Sequence, residues 1–305
     1  MKLPELNFVD KCKIVIKTLF VQILFFISIL FLFWAGNKLY SKIDKTEFPE
    51  PMPIQDVSSL TDLDKGKLVA DSIIHQMKYE LNSTFGWSIN DILFNSYFLD
   101  NRASRQYGVY HATKVLMDLY SMHIAKLGSN DKENQFLYSA RLNQFAIDPR
   151  SFIFPSAESS YKKGIELVEE YKKSLDNGSG VYNCRTDDLY ASFDTVIGEN
   201  LLGYALGLLQ NTQDLSFYEL DNKIYEVQGI VLVVRDFINT IYQLYPEINN
   251  KGNAENMEAA MNYMNRICTY DPFYITAKLN SGELIISYVL FAKNRLEDIR
   301  NSIKM

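Results

Sequence analysis

The chain has 305 residues, a formal net charge of −6, 47% hydrophobic and 22% charged residues, which is enough for one large folded domain. Residues 1–50 carry seven Lys against five acidic residues, or +2, which leaves −8 for the remainder. A body of that sign excludes nucleic acid as a partner, because phosphates demand basic patches.

The first element is apolar. Thr18 to Gly36 reads TLFVQILFFISILFLFWAG, interrupted only by Gln22 and Ser28. As a helix it rises roughly 28 Å, enough to cross a bilayer core. Lys17 and Lys38 bracket it, and Trp34 stands where an interfacial aromatic belongs. The run is longer than a cleaved signal's and no small-residue cleavage site follows, so the pattern predicts a retained signal anchor over 18–36. Residues 1–17 hold four Lys and the far flank three, a small bias that puts 1–17 in the cytoplasm and the body outside it, in the bacterial periplasm. Residues 37–60, with Pro49, Pro51 and Pro53, read as a stiff extended spacer.

From residue 61 to 305 the periodicity is helical and the fold class is all-α: a bundle of about eight helices. The first, 61–82, starts at a Thr61 cap and carries Leu68, Val69, Ile73, Met77 and Leu81 on one stripe. Residues 104–127 and 131–145 follow. A helix from Ser156 stops at DNGSG near 176. Thr186 caps the next, which runs to about Gln210. Residues 218–245 surround GIVLVVRDFI, whose length favours a buried helix over a strand. Helices at 253–268 and 281–303 complete the set. Two aromatic stretches, 83–104 and 145–156, resist the template and read as ordered loops. Trp87, Phe94, Tyr97 and Phe98 in the first are the candidate partner surface.

Glu158 is the one candidate catalytic acid. Its ESSY resembles the glutamate-serine signature of lytic transglycosylases, and GLLQ at 207–210 resembles their downstream element. Forty-nine positions and a Gly-rich break separate the two, so the spacing departs from that pattern. The simpler reading makes Ser156 an N-cap and places Glu158 in the first turn, where its charge suits the exposed N–H groups. His75, His111 and His123 show no metal-ligand spacing, and neither a metal nor a cofactor is expected. Cys184 and Cys268 either pair in an oxidising compartment or act as two small buried hydrophobes.

Three blocks occur in order. The first holds Gly86, Trp87, Asn90, Asp91, Asp100, Asn101, Gln106, Gly108 and Val109. The second holds Pro155, Ser156, Ala157, Glu158, Tyr161, Arg185 and Asp187. The third is LNSGELIISYVLFAKNRLEDIR at 279–300. Together they resemble a bacterial family of membrane-anchored proteins catalogued as domain of unknown function 2333. Ile89 stands where that pattern has proline, Ser281 splits its Leu-Asn-Gly, and an Asn-His pair in the last helix is missing. The resemblance implies one N-terminal membrane anchor and a helical extracytoplasmic domain in a Gram-negative bacterium, and it implies no reaction. It groups Asp100, Asn101, Glu158, Arg185 and Asp187 as a structural polar cluster, and an ion pair between Glu158 and Arg185 is expected. The function expected is an inner-membrane-anchored binding or scaffold component of an envelope assembly with a protein partner, without catalysis. The alternative is a glycan-cleaving enzyme with Glu158 as general acid.

Overall fold

The structure is a computed structural model that describes residues 8–44, 51–83 apart from 53 and 55, 86–90, 100–128, 131–272, 275–279 and 281–303. Every regular element among them is helical, as the periodicity predicts. The chain divides into two units, Met1–Thr46 and Glu47–Met305.

The first unit is α1 (Phe8–Asp44). Its segment Lys13–Gly36 has a mean hydropathy of 2.5 and is long and apolar enough to cross a membrane. Its apolar side chains, from Ile14 to Phe33, are exposed to the surroundings rather than packed. The two hydroxyls that could oppose hydrocarbon are satisfied within the helix. Thr18 Oγ1 donates to the Ile14 carbonyl at 2.9 Å and Ser28 Oγ to the Leu24 carbonyl at 2.8 Å. No polar group of these two residues is therefore left to seek water.

The second unit holds α2 (Asp62–Asn82), α3 (Asp100–Leu119), α4 (Gln135–Ser139), α5 (Ala157–Asp176), α6 (Thr186–Ile197), α7 (Leu202–Leu208), α8 (Phe217–Leu244), α9 (Ala254–Cys268) and α10 (Ser281–Ile303). α3 and α4 each run on into a π-helical turn, over Tyr120–Ile124 and Ala140–Gln144. The starts follow cap chemistry. Thr61 and Asp64 form a reciprocal capping box on α2, and Ser216 and Glu219 form one on α8. Ser156 caps α5, its Oγ accepting from the Ser159 N–H at 3.3 Å. At α6 the cap is Arg185, not Thr186. Asp188 accepts from the Arg185 N–H at 3.0 Å, so the charged group three residues on ties off the chain.

The expected helix 186–210 is two helices, α6 and α7. Gly198 adopts an extended conformation and its carbonyl accepts from the Leu201 N–H at 3.2 Å and the Gly203 N–H at 2.9 Å, which turns the chain.

α8 is the axis of the domain. Every residue from Val227 to Ile238 is buried, a pattern for a helix with neighbours on all sides. α3, α2 and α9 pack on it. The approach of α3 is set by two glycines. A Cβ added to Gly108 would lie 2.0 Å from the Glu226 carbonyl oxygen, and one added to Gly229 would lie 2.0 Å from the Arg105 carbonyl oxygen. The two backbones touch, and no side chain fits between them.

The cysteines do not pair. Cys184 sits beside the Tyr182 and Tyr245 hydroxyls, whereas Cys268 is buried at the end of α9 near Arg235 and Asp236. Burial pushes both thiols up to about 12, so each acts as a small apolar group, the second of the two readings that the sequence left open.

Gly108→Ala and Gly229→Ala should each cost about 3 kcal/mol, because the clash is with backbone and outweighs a helix-propensity gain of about 1 kcal/mol. Gly207, with nothing within 4 Å of its added Cβ, is the contrast. Gly207→Ala should raise stability by about 0.5–1 kcal/mol. Denaturant unfolding of the three variants checks both signs.

Candidate functional site

The two irregular stretches fold onto each other. Gly86, at φ 57, is in the left-handed region that glycine tolerates. That turn directs Trp87 inward, where its Nε1 donates to the Pro149 carbonyl at 3.0 Å and its ring meets Tyr161 edge-on at 5.0 Å. Asn90 Nδ2 donates to the Ser151 carbonyl at 2.7 Å. From α3, Gln106 accepts from the Ser88 N–H and donates to the Gly86 carbonyl, both at 2.8 Å. Gln106 also donates to Glu80 at 3.1 Å, and Arg105 Nε donates to the same carboxylate at 2.7 Å. Glu80, Arg105 and Gln106 are all buried, so these bonds are charge-assisted and little screened.

This accounts for much of the first motif. Gly86 makes the turn, Trp87 and Asn90 fasten the second loop, Gln106 fixes the first, and Gly108 admits α8. The motif is a mount.

Of the candidate contact surface, Trp87 is withdrawn. Trp87 is 2% exposed and cannot meet a partner. Phe94, Tyr97 and Phe98 lie outside the described residues. On the other loop three consecutive apolar residues are exposed among the described residues: Phe152 is 57%, Ile153 65% and Phe154 97% exposed. Both ends of this tip are pinned, since the Ala157 N–H donates to the Ser151 carbonyl at 2.8 Å and Ser151 Oγ to the Pro155 carbonyl at 3.0 Å.

Within the five-residue polar cluster, Glu158 and Arg185 pair elsewhere. Glu158 pairs with Lys162 at 2.6 Å, one turn along α5, and Arg185 pairs with Asp188 at 3.2 Å. Neither bonds to another of the five, and the Glu158–Arg185 ion pair is corrected. Asp100 and Asn101 open α3, and Asp187 is exposed in the first turn of α6. A general acid needs surroundings that keep it protonated; Glu158 is instead 38% exposed and sits beside an ammonium.

A cleft of about 470 Å³ opens beside the mount. Ile89 and Arg150 line it from the two loops, Ser104 and Tyr107 from α3, Tyr204 from α7 and Glu226 from α8. Tyr204 donates its hydroxyl to Glu226 Oε1 at 2.9 Å, and its ring stacks on His111 at 4.4 Å. Burial pushes His111 down, so the neutral ring donates from Nε2 to the Asn200 carbonyl at 2.8 Å. Burial also raises the Glu226 carboxyl above its ordinary range, against the lowering effect of the Tyr204 bond and of Lys223 one turn away. Glu226 and Tyr204 gave no motif to the sequence reading. The only signal was a carboxylate immediately before the buried run of α8.

A second buried charge centre lies between α2 and α8. Asp236, fully buried, accepts from Gln76 Nε2 at 2.6 Å and from Arg235 at 3.1 Å, and meets His75 Nδ1 at 2.7 Å. It joins the two helices and holds one imidazole nitrogen. No group of three or more His, Cys, Asp or Glu placed to hold a metal occurs among the described residues.

Fold and site together define an all-helical protein with one helix of membrane-spanning length and a solvent-open polar cleft. The chain belongs to the family described as uncharacterized protein conserved in bacteria (DUF2333), whose model matches residues 9–216. That range takes in α1, both loops and α7, and stops before Glu226; the third block, 279–300, also lies beyond it. No curated protein and no solved structure matches the chain.

Asp236→Asn should destabilise the body by about 3 kcal/mol, because it removes a buried negative charge that Arg235 and Gln76 both bond to; thermal and denaturant unfolding measure this. For Glu226, the folded carboxyl binds its proton more tightly than the unfolded one, whose ordinary value is 4.5. The resulting stability is present below that value and is lost as pH rises through the raised one. Glu226→Gln should therefore gain on the natural chain between pH 4 and pH 7 in paired denaturant titrations.

Proposed function

We propose that this is an envelope protein held in the bacterial inner membrane by the 18–36 segment of α1, with residues 1–17 in the cytoplasm, residues 37–60 as a spacer whose first part, to Asp44, is the end of α1 rather than extended chain, and its helical body in the periplasm. The body binds a protein partner and catalyses no reaction. The lysine bias around the apolar segment supports the orientation, and the length of that segment supports a retained anchor over a cleaved signal.

The observation that carries the binding role is the Phe152–Phe154 tip. Three consecutive exposed apolar residues on a loop fastened at both ends form a preorganised anchor, which loses little entropy on binding. A protein surface suits it better than a lipid surface. Charges of both signs surround it, Arg150 and Lys162 with Glu158, and the body beyond residue 50 carries −8, which anionic headgroups repel. The glycan-cleaving alternative rests on Glu158, and the Lys162 ion pair works against it.

A photo-crosslinking residue placed at 154 in cells should trap one partner, and Phe152→Ser with Phe154→Ser should abolish its recovery. These sites are solvent-exposed, so the melting temperature should stay put, within about 0.5 kcal/mol of stability. Unchanged recovery overturns the tip as the contact. Protease added to spheroplasts should digest the body and spare it in intact cells; protection in spheroplasts overturns the topology.

A further inference from the structure

Two opposite charges face the cleft and do not meet. Arg150 is exposed, and its guanidinium makes no hydrogen bond or ion pair with the described residues; only its backbone N–H is engaged, by Asp148. Glu226 uses Oε1 to accept from Tyr204, and it forms no ion pair among the described residues. Both line the same cavity of about 470 Å³, yet no contact within 4.0 Å joins them. In a closed protein core such a pair would be drawn together or neutralised. Here the frame holds them apart, Arg150 on the loop tied down by Trp87 and Asn90, Glu226 on the helix fixed by the glycine contact.

We infer that the cleft binds a small zwitterion, a free α-amino acid or short peptide, with its ammonium on Glu226 and its carboxylate on Arg150. The ammonium donates to the carboxylate oxygen that Tyr204 leaves open. The ligand carboxylate accepts from the Arg150 fork, a planar match that a lysine would not give. Tyr107 and Ile89 offer apolar contact to a small side chain between the two ends. A neutral sugar would leave both charges unpaired, and a simple anion or cation would leave one. Glu226 adds a second argument. Burial works against its ionised form, and a bound ammonium offsets that cost.

The test uses the full chain in detergent micelles and isothermal titration with dialanine, N-acetyl-dialanine and dialanine amide. Dialanine should bind saturably, and each capped peptide at least tenfold more weakly. In Glu226→Gln the tenfold gap between dialanine and its N-acetyl form should close, and in Arg150→Gln the gap to the amide should close. Arg150 is exposed and unpaired, so its variant folds and keeps the test decisive should Glu226→Gln fail to fold. No saturable dialanine binding overturns the inference. So does equal binding of the capped peptides, unchanged gaps in the variants, or binding of N-acetylglucosamine in preference to dialanine.

Discussion

Everything that positions the site depends on one backbone contact, that of α3 with α8 at Gly108 and Gly229. With two glycines in register, the helices approach until carbonyl and Cα nearly touch. That closeness decides what each neighbouring residue does. One residue before Gly108, Tyr107 turns toward the cleft; two before, Gln106 turns to the loop; three before, Arg105 turns to Glu80. On α8, Glu226 lies one turn before Gly229 and reaches the same cleft from the other side. Any side chain between the helices would widen the cleft and pull Gln106 off the loop it reads.

The loop depends on that reading in turn. A backbone without helix or strand needs other partners for its N–H and carbonyl groups. Gln106 supplies both kinds at once, to Ser88 and Gly86, while Trp87 and Asn90 serve Pro149 and Ser151. The second loop is held by the first, and Ser156 and Ala157 then launch α5 from it. Trp87 and Asn90 of the first block therefore have a mechanical role, and Tyr161 of the second shares it by meeting the Trp87 ring. They fasten one loop to the other and so present Phe152 to Phe154 outward.

Much of the architecture was legible because it follows local rules. The apolar run of α1, the caps at Thr61 and Ser156 and the buried axis of α8 are read from spacing and residue type alone. What was not legible is tertiary. Trp87 and Phe152 are both aromatic residues in loops rich in turn formers, and nothing local says that one points in and the other out. Only the hydrogen bond of the Trp87 indole to Pro149 and the pinning of Ser151 decide it. Buried charge was hidden for the same reason. Arg105 and Glu80 read as ordinary charged helix residues, although Arg105 lies four before Val109 on the core stripe, and Asp236 stands inside the most apolar stretch of the body. A charged residue on an apolar stripe was the available signal, and it marks a paired centre more often than an error. The break at Gly198 was open to sequence as a glycine, but a glycine inside a helical pattern does not announce whether it bends the chain or lets another helix in.

Arg150 connects the two proposed surfaces. It stands two residues before Phe152, and the turn that holds it, Asp148 accepting from the Arg150 and Ser151 N–H groups, is the base of the tip. The side chain reaches into the cleft while the backbone carries the tip. A ligand that fixes the guanidinium therefore bears on the same few residues that a partner at Phe154 meets. The turn is already pinned, so little ordering is left for either to do, and by reciprocity of linked equilibria each feels the other only through that shared turn. The sign follows from the geometry: two ligands that need one conformation of one turn favour each other, whichever binds first.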